Sequence, residues 1–561
     1  MNVHRLLLVV LTPLLMASTS AAMLDGPVSL DSSLRDTQAV DVARMTTSAF
    51  VSGEAWFAVW EDRTSSVSAR IVGQEVSPSG DLVGSQYVLA EGDVSDPCVI
   101  AVDGSLTQSG IVGNGGSKHW MVAWEALRED GTRTVQCAAV HHSGAGQTPV
   151  LDLGAASLPD AERRRPDLGR ASEGGLLVYE QTGAGLRFLV VEVVSGPPGH
   201  GEELAIASQE YVLSADPRDV APAIDASNVG YDTRYCVWRR ESVSRTEIIG
   251  RKLGDSGPWL EFVLAEIDTP GVLGDPDVAS TGKDSHFAVW SGGYGTPVIR
   301  GRRFFNPTNS PFEFETLVQP ELGATVTIAG ESSQAVFSDP AIAGCQGQYT
   351  VAYNRSSALA DSIHAVAIDP ISGSVLEQQA ILPSDGAFAP AVATLPESST
   401  NPSAEVIVIA AQKQPDWPGD HDPVFQLLEP VTTPWTLTAF TCHGGWTHAS
   451  AANAGNPDFR LELWNAQPFA PTFFTISAAG LELPVGSGTL AVDLAQTLLF
   501  VPVFTGADGY ASFGVPLPEG LAGSELHFQA FVFAGQSACS GTAFDFSSGN
   551  SIVVAPNAMT N

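Results

Sequence analysis

Positive charge is scarce in this chain of 561 residues: 27 Lys and Arg stand against 62 Asp and Glu, a formal charge of −35. Without a basic stripe to neutralise phosphates, nucleic acid is excluded as a partner. Cysteine is scarce too, six residues with no CxxC pair, which argues against a redox dithiol and a zinc ribbon. Beyond residue 22 there is no run of about 18 uninterrupted apolar residues, so no transmembrane segment is expected. Also missing are HExxH, the phosphate-binding glycine loop, the dinucleotide fingerprint, GxSxG, the D-x-[DN]-x-[DN]-G calcium loop and the S-x-D-x-G-x-x-W turn. What the chain does have is 44% hydrophobic residues and 55 glycines, with only 16% charged. A disordered acidic chain needs low hydrophobicity, so this one is expected to fold.

Residues 1–22 read as a secretory signal: His4 and Arg5, an apolar run from Leu6 to Met16, then small residues through Ala22. An exported chain permits disulfides, and the pair expected here is Cys442 with Cys539, both in the C-terminal region. The other four, Cys98, Cys137, Cys236 and Cys345, are left open between three pairings and buried thiols.

Repetition is the strongest signal. A strand of the form hydrophobic-small-Trp/Tyr recurs at 56–62 (WFAVWED), 119–126, 175–181, 234–240, 286–292 and 348–355, with a seventh copy at 404–411 that lacks the aromatic. Ahead of six of these stands a segment carrying Pro97, Pro166, Pro222, Pro276, Pro340 or Pro390, spaced about 59 residues apart. Residues 41–49 fill that slot before Trp56 without a proline. Alternating strands follow each copy, so a repeat amounts to four antiparallel strands. Proline is expected at the head of the first strand, where its nitrogen can stay out of the ladder. The repeated aromatic is expected to fill the gap between one sheet and the next. Seven such repeats predict an all-β fold: a seven-bladed β-propeller of four-stranded antiparallel blades over residues 23–435. Residues 26–30 (GPVSL) resemble the outer strands of later repeats and are expected to close the last blade against 422–430. From about residue 436 the repeat stops, and 436–561 is expected to form a small C-terminal β-sandwich.

Trp60, Glu61, Asp62 and Arg63, followed by Ile71, Gly73, Gln74, Val76 and Gly80, resemble a repeat of secreted bacterial β-propellers. The tail resembles a C-terminal module of exported proteins from planctomycete-like bacteria, through Cys442-His443-Gly444, LELWNAQP at 461–468, GYASFGVP at 509–516 and LHFQA at 526–530 before Ser551. These resemblances imply fold and export and carry no catalytic motif.

Among chemical candidates, Glu61, Glu125, Glu180 and Glu241 follow the aromatic strand and suit a glycosidase. Their equivalent placement favours a structural role, since a reaction needs unlike groups at unlike positions. His141-His142 is expected to be an exposed pair in a turn. Asp420-His421-Asp422, near Asp416, and Cys442-His443 with His448 offer metal-ligand chemistry but read more simply as loops. Arg163-Arg164-Arg165 and Arg302-Arg303 are expected to neutralise acidic loops, and Trp417, Trp435 and Trp446 to pack at a domain junction. No catalytic, cofactor-binding or metal site residue is assigned, and no cofactor. The expected function is a secreted, extracellular or surface-associated non-catalytic scaffold for a glycan or protein ligand. The alternative is a polysaccharide-active hydrolase or lyase with carboxylates at the channel, and a structural matrix component is a third reading.

Overall fold

The computed structural model describes most of residues 28–554, apart from a series of segments between strands, the longest being 104–117 and 306–319. The expected signal, residues 1–22, lies outside the described residues. The chain is all-β and its repeats are antiparallel sheets whose strands follow one another in sequence order. Sheet one comprises Asp36–Met45, Ala55–Ser65, Ser68–Val76 and Leu82–Gly92. Sheets two to seven begin with Val94–Asp103, Arg163–Ala171, Asp219–Ile224, Val272–Gly282, Ala335–Cys345 and Ala387–Thr394. Six of these sheets have four strands. In sheet three the outer strand is divided into Glu202–Ile206 and Tyr211–Ser214, both paired with Gly185–Ser195.

The first strands pack side by side in sequence order, and Ala387–Thr394 returns to Asp36–Met45. That arrangement is the β-propeller fold. Sheet seven draws only three strands from its own repeat; its outer edge is Val28–Ser29, with Val28 opposite Phe425 and Ser29 opposite Val424. The next residue extends the contact, the Leu30 N–H donating to the Pro423 carbonyl at 2.9 Å. The pairing expected from GPVSL is therefore present.

Second strands are covered on both faces, which is why they read as continuous apolar runs rather than as an alternation. From Ala55 to Trp60 every residue is buried. Each repeated aromatic reaches the preceding sheet: Trp56 and Trp60 share a cluster with Ile407, Ile409 and Phe425 of sheet seven. Trp120 and Trp124 meet Phe57 and Val59 of sheet one. Tyr179 joins sheet two, Trp238 sheet three, Trp290 sheet four and Tyr353 sheet five. Sheet seven puts Ala410 there, against Ala352 and Ile363 of sheet six.

The prolines behave differently from the expectation. They lie inside the first strand at a β-bulge, where the register shifts between Ser95 and Cys98, Arg164 and Asp167, Val220 and Ala223, Ser338 and Ala341, and Phe388 and Ala391. The residue before five of the six prolines is left-handed: Asp96 at φ 50°, Arg165 at 48°, Ala221 at 52°, Asp339 at 49° and Ala389 at 50°. A bulge needs one residue out of the ladder, and proline, with no N–H to lose, suits that place.

In residues 436–554 a six-stranded sheet, a three-stranded sheet and a hairpin are formed. Leu461 and Leu463 of the three-stranded sheet share one buried cluster with Phe474, Ile476, Phe528 and Ile552 of the six-stranded one. The short strands Thr436–Ala439, Trp446–Ala449 and Phe544–Phe546 add to those expected from the alternation.

Cys98, Cys137 and Cys236 are buried free thiols. Burial pushes the Cys137 thiol up to about 12 and raises Cys98 and Cys236 well above the usual thiol range. Cys442 and Cys539 lie outside the described residues, and no disulfide occurs among the described ones.

Candidate functional site

The bulges place two rings of polar groups along the propeller axis. In the inner ring, every other first strand carries an aspartate: Asp41 in sheet one, Asp167 in sheet three and Asp277 in sheet five. Each carboxylate binds two backbone N–H groups, one on its own strand and one on the next sheet. Asp41 accepts from Val42 at 2.8 Å and from Val99 of sheet two at 2.8 Å. Asp167 accepts from Leu168 at 2.9 Å and from Ile224 of sheet four at 2.7 Å. Asp277 accepts from Val278 at 2.7 Å and from Ile342 of sheet six at 2.8 Å. The equivalent residues of the other sheets are Cys98, Ala223, Ala341 and Ala391.

The three carboxyls sit deep in the ring yet keep partial contact with solvent, as residues facing a central channel would. Loss of hydration raises Asp41 to about 8, with Asp167 and Asp277 adding like-charge repulsion and the two N–H bonds opposing it. By the same cause Asp277 rises to about 7 and Asp167 to about 6.

The outer ring lies at the bulge end. Glu125 takes the N–H of Arg165, the left-handed residue of the next sheet, at 2.6 Å. Glu61 takes the N–H of Asp96 and Glu180 that of Ala221 in the same way. Burial raises all three carboxyls, Glu125 to about 7. The reading of these glutamates as structural thus has a concrete form: each ties its sheet to the bulge of the next.

Glu241 does not belong with them. In sheet four the residue after the aromatic is Arg239, whose Nη1 lies 2.5 Å from Asp275 at the bulge of sheet five, while Glu241 is exposed and 2.9 Å from Arg239 Nε. Sheets five, six and seven place Ser291, Asn354 and Ala411 at this position. Asp96, Arg165, Asp275 and Asp339 project from the bulges as exposed charged side chains at one mouth of the ring. The same mouth carries Val243 and Tyr294 on strand-to-strand turns and Val272 at the start of a strand, exposed at 100%, 66% and 63%.

Histidines join sheets elsewhere. His141 and His142 are half-buried rather than exposed: His142 lies 3.1 Å from Glu75 of sheet one, and His141 meets the His119 ring edge-on. His119 in turn binds Glu202 of sheet three at 2.6 Å. Buried His286 of sheet five is 3.1 Å from buried Asp225 of sheet four. His421 pairs with Asp36 at 2.7 Å and with the Phe388 ring, joining sheet seven to sheet one, while Asp420 lies outside the described residues.

Of the arginine islands, Arg164 pairs with Glu162 at 2.7 Å and Arg165 approaches Asp275 at 4.0 Å. Arg163 is buried and donates to the Ala161 carbonyl. Arg302 donates to the carbonyls of Gly323 and Leu264, and Arg303 to Ser285 Oγ. Trp417, Trp435, Asp416, Cys442 and His443 lie outside the described residues, and Trp446 and His448 are on strand Trp446–Ala449. No group of three or more His, Cys, Asp and Glu suited to a metal ion occurs among the described residues. Nor is any described helix long and apolar enough to cross a membrane. The inner aspartates went unrecognised in the sequence, although Pro166-Asp167 and Pro276-Asp277 appear at one fixed place in alternate repeats.

No protein-family model matches the chain, and no curated protein matches it. Solved structures resemble it distantly. A protein of unknown function from Dyadobacter fermentans aligns at TM-score 0.36 and 10% identity, over 72% of this chain and 99% of that one. The β-propeller domain of Vanderwaltozyma polyspora Nup133 gives 0.32 and 10%, over 69% and 100%. Trypanosoma rangeli sialidase gives 0.31 and 10%, over 96% and 93%. At such scores these likenesses add nothing to what the sheet order already shows, and the resemblance of the tail to exported planctomycete-like modules has no counterpart among them.

Proposed function

We infer that the chain is a secreted, non-catalytic binding scaffold: a ring of seven blades over residues 23–435 presents a mouth of variable loops to an extracellular glycan or protein, and 436–561 is a separate β-sandwich. The observation that carries this reading is the fate of the carboxylates. Glycoside hydrolysis needs two carboxyls in unlike environments facing one bond. Here Glu61, Glu125, Glu180, Asp41, Asp167 and Asp277 occupy repeated positions, and their oxygens hold backbone N–H groups of the neighbouring sheet. Spending them on chemistry would unfasten the joints.

What varies from repeat to repeat is the rim, which carries charges at Asp96, Arg165, Asp275 and Asp339 and the exposed Val243, Val272 and Tyr294. Exposed apolar and aromatic side chains on a charged rim suit recognition. Seven sheets in cyclic contact support the blade count, the shared core of two sheets supports the sandwich, and the leader-like residues 1–22 support export.

The test combines binding and turnover. The secreted protein, applied to glycan and protein arrays, is expected to select a ligand whose binding falls at least about tenfold in Tyr294→Ala, with no reducing ends or unsaturated sugars released from a polysaccharide panel. Turnover of a polysaccharide that disappears in Glu125→Gln would establish the enzymatic alternative instead.

A further inference from the structure

The six-stranded C-terminal sheet carries apolar side chains on both faces. One face carries Phe474, Ile476, Phe528 and Ala530 into the buried cluster. The other bears an aromatic row: the Phe473 ring stacks on Phe500 at 4.9 Å and 17°, and meets Phe544 at 6.0 Å, which meets Phe533 at 5.6 Å. The hairpin Gly480–Val485 and Gly488–Val492 covers part of this face around Phe531 and Phe546. On this face strand Thr497–Phe504 is left uncovered by the described residues. Among the described residues it is the edge of the sheet, paired only with Pro471–Ser477, and its alternate residues Leu498, Phe500 and Phe504 are exposed at 56%, 51% and 73%.

Phe469 adds an independent observation. It is 72% exposed and held at φ 53°, with its N–H bonded to the Gly506 carbonyl beside the end of that strand. A bulky residue in the left-handed region is strained by about 1–2 kcal/mol, and an exposed phenyl ring returns nothing to the isolated fold. Glycine would serve this position better unless the ring has a partner.

We propose that this strip, Phe469 with Leu498, Phe500, Phe504 and Phe533, is a docking surface for a second copy of the same chain. Taking about 200 Å² for each aromatic side chain and the exposures above, it offers about 550 Å² of apolar surface. A standard interface buries about 800 Å² per partner, of which roughly 65% is apolar at the core, so the strip is enough for a dimer centre. A two-fold axis across the strip makes it self-complementary and closes the assembly at two. Pro502 lies in the middle of the edge and has no N–H to offer, which obstructs open-ended strand addition and leaves face-to-face packing of side chains. The chemistry disfavours a membrane: Arg460 is the sole Lys or Arg from 436 to 561, whereas interfacial segments use cations for anionic lipid.

Sedimentation equilibrium of the full chain tests the proposal. Wild type is expected to reach twice the chain mass, and the association to tighten with salt as like charge is screened. Phe504→Ser is expected to weaken it about thirtyfold, as loss of a central aromatic anchor does. Phe469→Gly is the decisive variant: it is expected to raise the melting temperature while weakening dimerisation, which a purely structural Phe469 would not do. A monomer up to about 100 μM, or a dimer unaffected by both substitutions, overturns the proposal. So does a monomer that sediments with phosphatidylcholine vesicles through Phe504, which would assign the strip to lipid.

Discussion

Leu30→Ala isolates the closure of the ring. Leu30 follows the two-residue strand that completes sheet seven, is 3% exposed, and packs among Trp56, Trp60, Ile409 and Phe425 from sheets one and seven. Its backbone is held from both sides, donating to Pro423 at 2.9 Å and accepting from Gln86 Nε2 of sheet one at 3.0 Å. The substitution leaves those bonds possible and removes the apolar wedge. Truncating a fully buried leucine costs about 2–5 kcal/mol. Because the site lies between two sheets and near a chain end, part of the gap can relax, which places the expected loss at about 3 kcal/mol. Equilibrium urea denaturation followed by tryptophan fluorescence reads this directly, since Trp56 and Trp60 lie in the same cluster. The midpoint should fall with the slope unchanged. A loss below about 0.5 kcal/mol, the size of an ordinary surface substitution, would refute the view that the N-terminal segment fastens the ring.

Raised carboxyls also make stability depend on pH. Asp41, Asp277 and Asp167 have folded values of about 8, 7 and 6 against an ordinary value of 3.8, so between those limits the folded chain holds protons that the unfolded chain releases. Their contribution is therefore greatest below about pH 4 and declines as pH rises through 6 to 8, with a slope of up to about 1.4 kcal/mol per pH unit per group. Asp41→Asn should remove close to one proton from that slope in denaturation series from pH 5 to 8, and an unchanged slope counts against the inner ring as its source. Trp238→Ala, which empties the cluster between sheets three and four, should cost about 3–5 kcal/mol in the same assay; a change below about 1 kcal/mol would mean the aromatic does not seal that joint. Alkylation followed by peptide mass spectrometry should leave Cys98, Cys137 and Cys236 unmodified in native protein and label all three in denaturant, because buried neutral thiols are poor nucleophiles. Native labelling of Cys236 would contradict its burial.

Much of this architecture was legible because it rests on side-chain period and bulk. Trp60, Trp124 and Tyr179 recur at one place in the pleat, and only a stack of like sheets gives so many buried rings a common task. GPVSL could be recognised as an outer strand since outer strands share a pattern of their own. The joints were harder to see. Glu241 looks like another member of the glutamate series, but counting from Trp238 shows that Arg239 holds that position and reverses the charge. The prolines looked like strand openings, whereas the register shift that makes them bulges depends on the neighbouring strand and leaves no trace in local composition. His142 and Glu75, or His119 and Glu202, meet across sheets 67 and 83 residues apart in sequence, a proximity that pattern alone does not encode. Asp41, without a preceding proline, lacked even the local cue carried by Asp167 and Asp277.

The seventh sheet differs from the first three in what holds it. Where sheets one, two and three have an aspartate or cysteine on the axis and a glutamate at the mouth, it has Ala391 and Ala411. Its grip on sheet one comes instead from oily contact, the His421–Asp36 pair and the borrowed strand at Val28–Ser29. The ring is thus a hoop with a clasp. Because the clasp includes residues 28–30, near the start of the described chain, the hoop stays unfastened during synthesis until its last repeat has emerged to meet them.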